Sequence, residues 1–290
     1  MTDLVGQSIG HYRIVEKLGE GGMATVYKVW DTESSTYLAL KLLREDRIKG
    51  RFFLQHFHYE AQTMSRLQHP NIIRYYGLKQ ENGRVFLLME YIEGTTLRQR
   101  IIDTSDAFSG NDLLAVLAPV CSALYYSHHL GVIHCDIKPG NIVIGESGRV
   151  VVSDFGIARM AFSAKTASLT GAGTPAYMAP EQVKRLDPTP QTDIYALGIV
   201  LFEMLTGGER PFTGRQADIS GTTEEKLLWE QVNLKPPSPL VYNPRISPGL
   251  EAATLKCLEK DPLQRYRTTL MLLNDLQIAL GKVATLSGKM

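Results

Sequence analysis

The sequence predicts an α+β protein with two unequal lobes, a small β-rich lobe followed by a larger helical one. Three observations predict this fold class. The 290 residues are long for a single core. Residues 12–92 consist mostly of β-branched and aromatic runs, with a single helical stretch. Beyond residue 95 the apolar residues recur at helical spacing, so the change of pattern predicts a hinge near residues 90–95.

The predicted N-terminal lobe, about residues 10–92, is a mostly β unit that carries one main helix. Three strand-like runs, YRIVEKLG, TVYKVW and YLALKLL, fall between residues 12 and 43. Residues 57–68 have the composition of a helix, which the sequence HPN would end. Two further strand-like runs, NIIRYYG and RVFLLMEYI, flank the sequence ENG, which is a signal for a hairpin turn.

The predicted C-terminal lobe, about residues 95–280, is helical. Residues 111–130 place Leu113, Leu117 and Leu124 on one face, and Gly131 follows as a helix C-cap. Pro-rich breaks such as KPPSP separate the later helical segments. These further helices are expected at 193–206, 223–233, 248–259 and 268–280. Residues 281–290 are expected to form an unfolded tail.

The composition excludes several classes of protein. Lys and Arg number 31 against 30 Asp and Glu, so a net charge of +1 gives no reason to expect nucleic acid or an anionic membrane surface as a partner. The three cysteines include no CxxC pair, which argues against a disulfide framework and a zinc site. The N-terminus lacks a signal-peptide pattern, and the longest apolar run, IYALGIVLFEML, is too short for a membrane segment. We therefore expect a cytoplasmic protein.

A glycine-rich loop suggests a nucleotide site. The run LGEGGMATV contains Gly19 and Gly21, with Ala24 where a third glycine would stand. Glycines let the backbone approach phosphates closely. In a dinucleotide-binding fold such glycines would open a helix, but the strand-like TVYKV follows here. The loop is interpreted as a hairpin lid over a nucleotide, although the pattern alone fits a plain hairpin turn equally well.

Two charged residues, one within a strand-like run and one just after another, indicate binding of phosphate and of a metal ion. Lys41 lies in a run that otherwise reads as buried, so it needs an anionic partner, which phosphates or Glu60 could supply. Asp154 follows the strand RVVVS and precedes Phe155 and Gly156, a position that suits Mg²⁺. Each residue has an ordinary alternative. Lys41 could be a surface lysine with its stem along the sheet, and Asp154 could belong to a simple turn.

The stretch VIHCDIKPGNIVI, residues 132–144, gathers polar groups between two apolar runs: His134, Asp136, Lys138 and Asn141. The motifs GTPAYMAPEQ, DIYALG and KDPLQRYRT follow in order. With this order and spacing, over roughly residues 10–280, the chain resembles a serine/threonine protein kinase of the bacterial eukaryotic-like group. The resemblance implies a two-lobed protein-kinase-like fold.

The resemblance also implies a site for ATP and Mg²⁺, which Mn²⁺ could replace. The residues implied to contact the nucleotide are Leu18, Gly19, Gly21, Gly22, Val26, Ala39, Lys41, Met89, Glu90, Ile92, Val143 and Asp154. The implied metal ligands are Asn141 and Asp154. The implied catalytic set is Asp136, Lys138, Asn141, Lys41 and Glu60, with Asp136 accepting the proton of the substrate hydroxyl. These residue types suit phosphoryl transfer, which depends on positioned charge more than on covalent chemistry.

Other matches are structural. Under the same resemblance, Asp193 would anchor the catalytic loop through its backbone, and Glu181 would form a buried ion pair with Arg265. The residues implied to stack into one core column joining the lobes are Met64, Tyr75, His134 and Phe155. His134 is therefore interpreted as a satisfied core histidine and not as an acid or a base.

The sequence departs from the family pattern at Cys135, where arginine is usual. In regulated members that arginine grips a phosphorylated residue of the activation segment, here residues 154–181, and a thiol cannot do so. We expect activity to depend weakly on phosphorylation there, with His56 and Arg159 able to give a weaker grip. Autophosphorylation is expected at Thr166, Ser168 or Thr170, while Thr174 belongs to the serine/threonine pattern.

The resemblance implies an enzyme that phosphorylates serine or threonine of proteins, including itself. Gly140 and Thr96 replace acidic residues with which arginine-preferring relatives read basic substrates, so no strong demand for arginine upstream of the target is expected. The alternative is a pseudokinase-type scaffold that binds nucleotide without transfer, but the reactive set is complete. Relatives also allow a homodimer through the small lobe, and the chain could be the cytosolic part of a longer, membrane-anchored protein.

Overall fold

The structure is a computed structural model that describes residues 4–22, 24–44, 64–155 and 175–282. The described strands are β1 (Ser8–Ile9), β2 (Tyr12–Glu20), β3 (Ala24–Asp31), β4 (Thr36–Leu43), β5 (Tyr75–Glu81), β6 (Arg84–Glu90), β7 (Gly94–Thr96), β8 (Ile142–Gly145) and β9 (Val150–Val152). The described α-helices are α1 (Leu97–Thr104), α2 (Gly110–His129), α3 (Pro180–Val183), α4 (Pro190–Thr206), α5 (Thr223–Asn233), α6 (Pro248–Cys257) and α7 (Thr269–Ala279). Strands dominate the first third and helices the remainder, which confirms the predicted two-lobed α+β fold.

The N-terminal lobe is built on a six-stranded antiparallel sheet with strand order β1-β2-β3-β4-β6-β5. Alternate residues of β3 and β4 point to opposite faces of the sheet. One face buries Tyr27, Val29 and Leu40 in a small separate core. The other face buries Ala39 and neighbouring apolar residues in the main core, which continues into the helical lobe. The sheet therefore presents one side to the interior between the lobes.

The predicted hairpin turn between β5 and β6 is confirmed. Asn82 and Gly83 both have positive φ, 50° and 76°, and Glu81 pairs with Arg84 across the turn. Two consecutive left-handed residues give a turn whose twist matches that of the flanking strands. The strand before this turn begins at Tyr75, later than predicted from the run NIIRYYG. Ile72 instead forms a single parallel bridge with Val152 of β9.

The C-terminal lobe is organised around α4, which is buried on almost every side. A helix with an apolar surface all round belongs in the centre of a core. α4 packs against α6 and α2, and it carries two buried carboxylates, Asp193 and Glu203. The strands β7, β8 and β9 form a small second sheet. The polar stretch found in the sequence precedes β8, and Asp154 follows β9.

The helix predictions for the C-terminal lobe are confirmed, with small differences at the ends. Gly131 has a φ of 72° just beyond α2, as a C-capping glycine requires. α4 begins three residues before the predicted start, because Pro190 is compatible with the first helical turn. α1 and the four-residue α3 were not predicted. The helix predicted at 57–68 lies mostly outside the described residues, which include only its end, where Met64 and Ser65 are helical.

Within the described ranges, none of the helices combines the length and apolar character needed to cross a membrane.

Candidate active site

The polar stretch 134–141 forms a loop between α2 and β8, and Asp193 of α4 holds its backbone in place. The Asp193 carboxylate accepts hydrogen bonds from the backbone N–H of His134 at 2.9 Å and of Cys135 at 2.8 Å. A third bond, 2.7 Å long, joins it to Nε2 of His128. Burial alone would raise the pKa of Asp193, but the hydrogen bond and charge of His128 outweigh it and lower the pKa. The predicted anchoring role of Asp193 matches these contacts.

Cys135 holds the loop in a strained conformation. Its φ is 67°, a left-handed value that costs a non-glycine residue about 1–2 kcal/mol. Such strain persists only where the surroundings fix the backbone. Both backbone polar groups of Cys135 are bonded, since its N–H donates to Asp193 and its carbonyl accepts from Gln182 Nε2 at 2.9 Å. The thiol is buried, as are those of Cys121 and Cys257.

His134 is a fully buried histidine with both ring nitrogens bonded. Its Nε2 donates to the carbonyl of Ser153 at 2.8 Å, and its Nδ1 accepts from the backbone N–H of Asp136 at 3.1 Å. Its ring centroid lies 4.5 Å from that of Phe155. Met64, Tyr75 and Phe155 are buried in the same core. Both ring nitrogens are thus used within the protein, in agreement with the structural interpretation of His134.

Three side chains of the loop form one connected group. Lys138 Nζ donates to Asp136 Oδ2 at 2.7 Å. Asn141 Nδ2 donates to the backbone carbonyl of Asp136 at 2.8 Å and to Asp136 Oδ2 at 3.1 Å. Asp136 Oδ2 thus accepts from both Lys138 and Asn141, while the Asp136 side chain as a whole stays 16% exposed. A carboxylate held in this way is preoriented to accept a proton.

Lys41 and Asp154 meet across the lobes. Lys41 belongs to β4 of the sheet, and Asp154 follows β9, yet Lys41 Nζ lies 2.8 Å from Asp154 Oδ1. Burial works to raise the pKa of Asp154, but the charge and hydrogen bond of Lys41, helped by the charge of Lys138, lower it. Lys138 therefore acts on both Asp136 and Asp154. The predicted partner of Lys41, Glu60, lies outside the described residues.

The residues predicted to contact the nucleotide come from both lobes. Val26 pairs with Lys41 across β3 and β4, and Ala39 lies two residues from Lys41, so these three share one face of the sheet. Val143 on β8, opposite Thr96, belongs to the other lobe. The glycine-rich positions lie at the end of β2 and in the turn between β2 and β3, where Leu18, Gly21 and Gly22 are exposed and Gly19 is half-buried.

The connection between the lobes contains a contact that the sequence did not reveal. Met89 is buried, and Ile92 is half-buried beside Gly145. The side chain of Glu90 accepts from Arg149 Nη1 at 2.5 Å and from Nη2 at 3.3 Å. Arg149 also donates to the carbonyl of Pro70 at 2.8 Å. Because Glu90 and Arg149 are 59 positions apart, no local pattern could have paired them.

The oxygen donors at the site fit a hard divalent cation. Asp154 offers a carboxylate that its lowered pKa keeps ionised. Asn141 uses its Nδ2 for Asp136, so its carbonyl Oδ1 remains available. Among the described residues, no cluster of three or more His, Cys, Asp or Glu could hold a metal alone. A cation at Asp154 and Asn141 would thus need further oxygens, which nucleotide phosphates supply.

A second set of buried charges supports the loop from α4 and the C-terminal end of the lobe. The predicted ion pair of Glu181 and Arg265 is present, with two nitrogen–oxygen distances of 2.8 and 2.9 Å. On α4, Glu203 is fully buried and is bound by the guanidinium of Arg98 at 3.1 Å and that of Arg210 at 2.7 Å. The hydroxyl of Tyr177 donates to both oxygens of Glu203 at 2.9 Å.

Five of the predicted positions cannot be assigned a place. They lie outside the described ranges, and they are Glu60, Thr166, Ser168, Thr170 and Thr174. The same holds for His56 and Arg159. The other predicted site residues lie in the loop of residues 134–141, on β8 or just after β9, on β3, β4, the end of β2 and the turn between β2 and β3, or in the segment that joins the lobes.

Comparisons with known proteins agree with this architecture. The serine/threonine-protein kinase PrkC of Bacillus subtilis is 38% identical over 268 residues, which cover 91% of this chain and 40% of PrkC. The serine/threonine-protein kinase PknB of Mycobacterium tuberculosis is 36% identical over 272 residues, covering 91% of this chain and 42% of PknB. The chain thus spans about two fifths of the length of these curated relatives.

Solved structures show the same fold. A crystal structure of the PknI kinase domain from Mycobacterium tuberculosis superposes with a TM-score of 0.77 over 96% of this chain and 99% of that one, at 24% sequence identity. A second PknI kinase-domain structure gives a TM-score of 0.75. At this identity the likeness establishes the fold alone. Residues 12–275 match the protein kinase domain family, and the chain therefore belongs to that family, within its bacterial serine/threonine branch.

Proposed function

We propose that this chain transfers the γ-phosphoryl group of ATP to serine or threonine hydroxyls of protein substrates. The observation that carries the proposal is the meeting of Lys41, Asp136 and Asp154, which are spread over more than 100 positions. Lys41 pairs with Asp154 at 2.8 Å, and Lys138 pairs with Asp136 at 2.7 Å while its charge also acts on Asp154. The similarity to PrkC and PknB supports the same reaction.

The chemistry assigns each of these groups a part. Asp136 would accept the proton of the attacking hydroxyl, and Lys138 would balance negative charge on the transferring group. Lys41 would hold the phosphates of the nucleotide. Asn141 and Asp154 would hold Mg²⁺, or Mn²⁺ in its place, and the bound cation would supply positive charge to the phosphates.

The direct test compares the wild type with Asp136→Asn in labelled ATP and Mg²⁺, followed by mapping of phosphorylated residues. We expect label on the wild type and a rate lower by about 100-fold or more for Asp136→Asn, because general-base catalysis contributes about 10²–10⁴-fold. The exposed Asp187→Asn is the matched control and should keep the wild-type rate. Equal label on the wild type and on Asp136→Asn would remove Asp136 from the role of base. A wild type without transfer would instead favour a nucleotide-binding scaffold.

The proposal extends to regulation. Autophosphorylation is proposed at Thr166, Ser168 or Thr170, and activity is proposed to depend weakly on it. The support is the loop at Cys135, whose backbone is held by two hydrogen bonds to described side chains and whose buried thiol cannot form a charged fork to phosphate.

Phosphatase treatment checks this regulation. The kcat of the treated wild type should fall by less than about tenfold. This limit is smaller than the loss of about 100-fold that a displaced catalytic group can cause. Cys135→Arg should make the loss larger, because a guanidinium at that position could grip a phosphate. A loss of several orders of magnitude in the wild type would contradict weak dependence.

Substrate choice is also part of the proposal. No strong demand for arginine upstream of the target is expected, because Gly140 and Thr96 stand where arginine-preferring relatives have acidic residues. A peptide-library screen tests this directly, and a dominant requirement for arginine upstream of the target would contradict it. The need for ATP as phosphoryl donor also leads us to propose the cytoplasm as the place of action.

A further inference from the structure

The peptide group that carries Asp136 is held at both of its polar ends. This group consists of the Cys135 carbonyl and the Asp136 N–H. The Asp136 N–H donates to His134 Nδ1 at 3.1 Å, and the Cys135 carbonyl accepts from Gln182 Nε2 at 2.9 Å. Both contacts are made by buried side chains, and Gln182 is only 3% exposed. The two contacts fix the plane of this peptide and so the nitrogen and Cα from which the Asp136 side chain extends.

Gln182 is itself fixed in orientation. Its Oε1 accepts from the backbone N–H of Ala179 at 3.0 Å, so its Nε2 must point the other way, towards Cys135. Its neighbour Glu181 is locked to Arg265 by two bonds of 2.8 and 2.9 Å. A buried amide with both ends bonded has little freedom to rotate. Gln182 therefore holds the loop at Cys135 in a fixed position relative to α3.

The substitution at Cys135 gives this contact its importance. The residue is left-handed, with a φ of 67°, and its side chain carries no charge to hold the loop through a phosphate. Its backbone is instead held from two sides, by Asp193 at the N–H and by Gln182 at the carbonyl. These two contacts come from α4 and α3, which are separate elements of the lobe.

We propose that Gln182 is a positioning residue for Asp136, which aims the carboxylate by holding the Cys135–Asp136 peptide. The inference deepens the proposed function, on which its activity readouts rest. It also explains how this loop keeps one conformation when position 135 has no guanidinium. Gln182 touches neither substrate nor nucleotide in this role.

Two variants test the proposal. Gln182→Glu keeps the volume and the acceptor for Ala179, but when ionised it has no donor for the Cys135 carbonyl. Gln182→Met removes both hydrogen bonds while keeping a side chain of similar length. The matched control is Thr269→Val, which deletes another buried hydrogen bond from a side chain to a backbone carbonyl. The Thr269 hydroxyl on α7 donates this bond to the Cys121 carbonyl oxygen on α2 at 2.7 Å.

We expect kcat to fall by about 10- to 100-fold in both Gln182 variants, because small errors in the position of a catalytic group have effects of that size. The affinity for Mg²⁺-ATP should change by less than about twofold, since the proposed nucleotide contacts lie elsewhere. Thr269→Val should lower thermal stability and leave kcat unchanged. Hydrogen exchange at the Asp136 amide should accelerate in the Gln182 variants and not in the control.

The pH profile adds a readout that a purely structural role would not move. A buried carboxyl has a raised pKa, and its protonated form can donate to the Cys135 carbonyl. The activity of Gln182→Glu relative to Gln182→Met should therefore rise as pH falls from about 8 to about 6.

The proposal is overturned if both variants keep the wild-type kcat and the wild-type exchange at the Asp136 amide. It is also overturned if kcat and nucleotide affinity fall together while exchange rises throughout the lobe. A wild type that transfers no phosphate would refute the proposed function instead, and exchange at the Asp136 amide would then decide alone whether Gln182 holds the peptide.

Discussion

Asp193 and Arg265 illustrate how single buried charges support the site. The Asp193 carboxylate is hydrogen-bonded to two backbone N–H groups and one histidine. Arg265 binds Glu181, which lies on the same helix as Gln182. Neither residue reaches the space between the lobes. Each is buried with its charge fully bonded, which makes the loss of one partner far more costly than the loss of an exposed pair.

Arg265→Met should lower the free energy of unfolding by about 3–5 kcal/mol, because it leaves the buried Glu181 carboxylate without its cation. The Arg265 side chain is fully buried and that of Glu181 is 5% exposed. Urea unfolding measures the change. Lys17→Met, which breaks the exposed pair with Glu20, is the control and should have no measurable effect. Equal losses in the two variants would contradict the assignment.

Lys260 should make stability depend on pH. Burial lowers the pKa of Lys260 to about 7, while an unfolded lysine titrates near 10.4. Between these values the unfolded chain binds more protons than the folded one, so the contribution of this group to stability rises with pH across that window. Urea unfolding at several pH values should show a steeper rise for the wild type than for Lys260→Met. Identical slopes would show that Lys260 stays charged in the fold.

At the scale of elements, the sequence predicted what depends on local pattern. The strand runs, the turn at Asn82 and Gly83 and the longer helices beyond residue 110 were readable, because periodicity and turn residues lie within a few positions of one another. The four residues of α3 are too few to show such a period. α1 was missed because only Leu97 and Ile101 of its eight residues are buried, which leaves a weak apolar pattern.

The close approach of α4 and α6 gives a prediction at this scale. A methyl group at Gly198 would lie 2.5 Å from Cys257 Cβ and 3.2 Å from Leu258 Cδ2. Helix propensity alone would favour Gly198→Ala by about 1 kcal/mol. Overpacking should outweigh this gain, so we expect a net loss of about 1–3 kcal/mol. Ala252→Gly, at an exposed position of α6, measures the propensity effect separately, and a stabilised Gly198→Ala would contradict the packing.

At the scale of the whole molecule, the site is assembled from distant parts of the chain. The motifs identified Lys41, Asp136 and Asp154 individually, and the family resemblance implied their meeting, but sequence spacing could not supply the contacts. The Glu90–Arg149 pair and the Gln182–Cys135 bond were missed for the same reason, since they join positions 59 and 47 apart. Contacts of that separation depend on the packing of the lobes and leave no periodic signal.

The central claim is that one cleft holds Lys41, Asp136 and Asp154 around the phosphates of a nucleotide. An acyl-phosphate derivative of ATP, which acylates amines close to its triphosphate, tests this most directly when labelled lysines are mapped by mass spectrometry. The account predicts that Lys41 and Lys138 are both labelled and that Mg²⁺-ATP protects both, while the exposed Lys17 reacts without protection. Labelling in which neither Lys41 nor Lys138 is protected by ATP would contradict it.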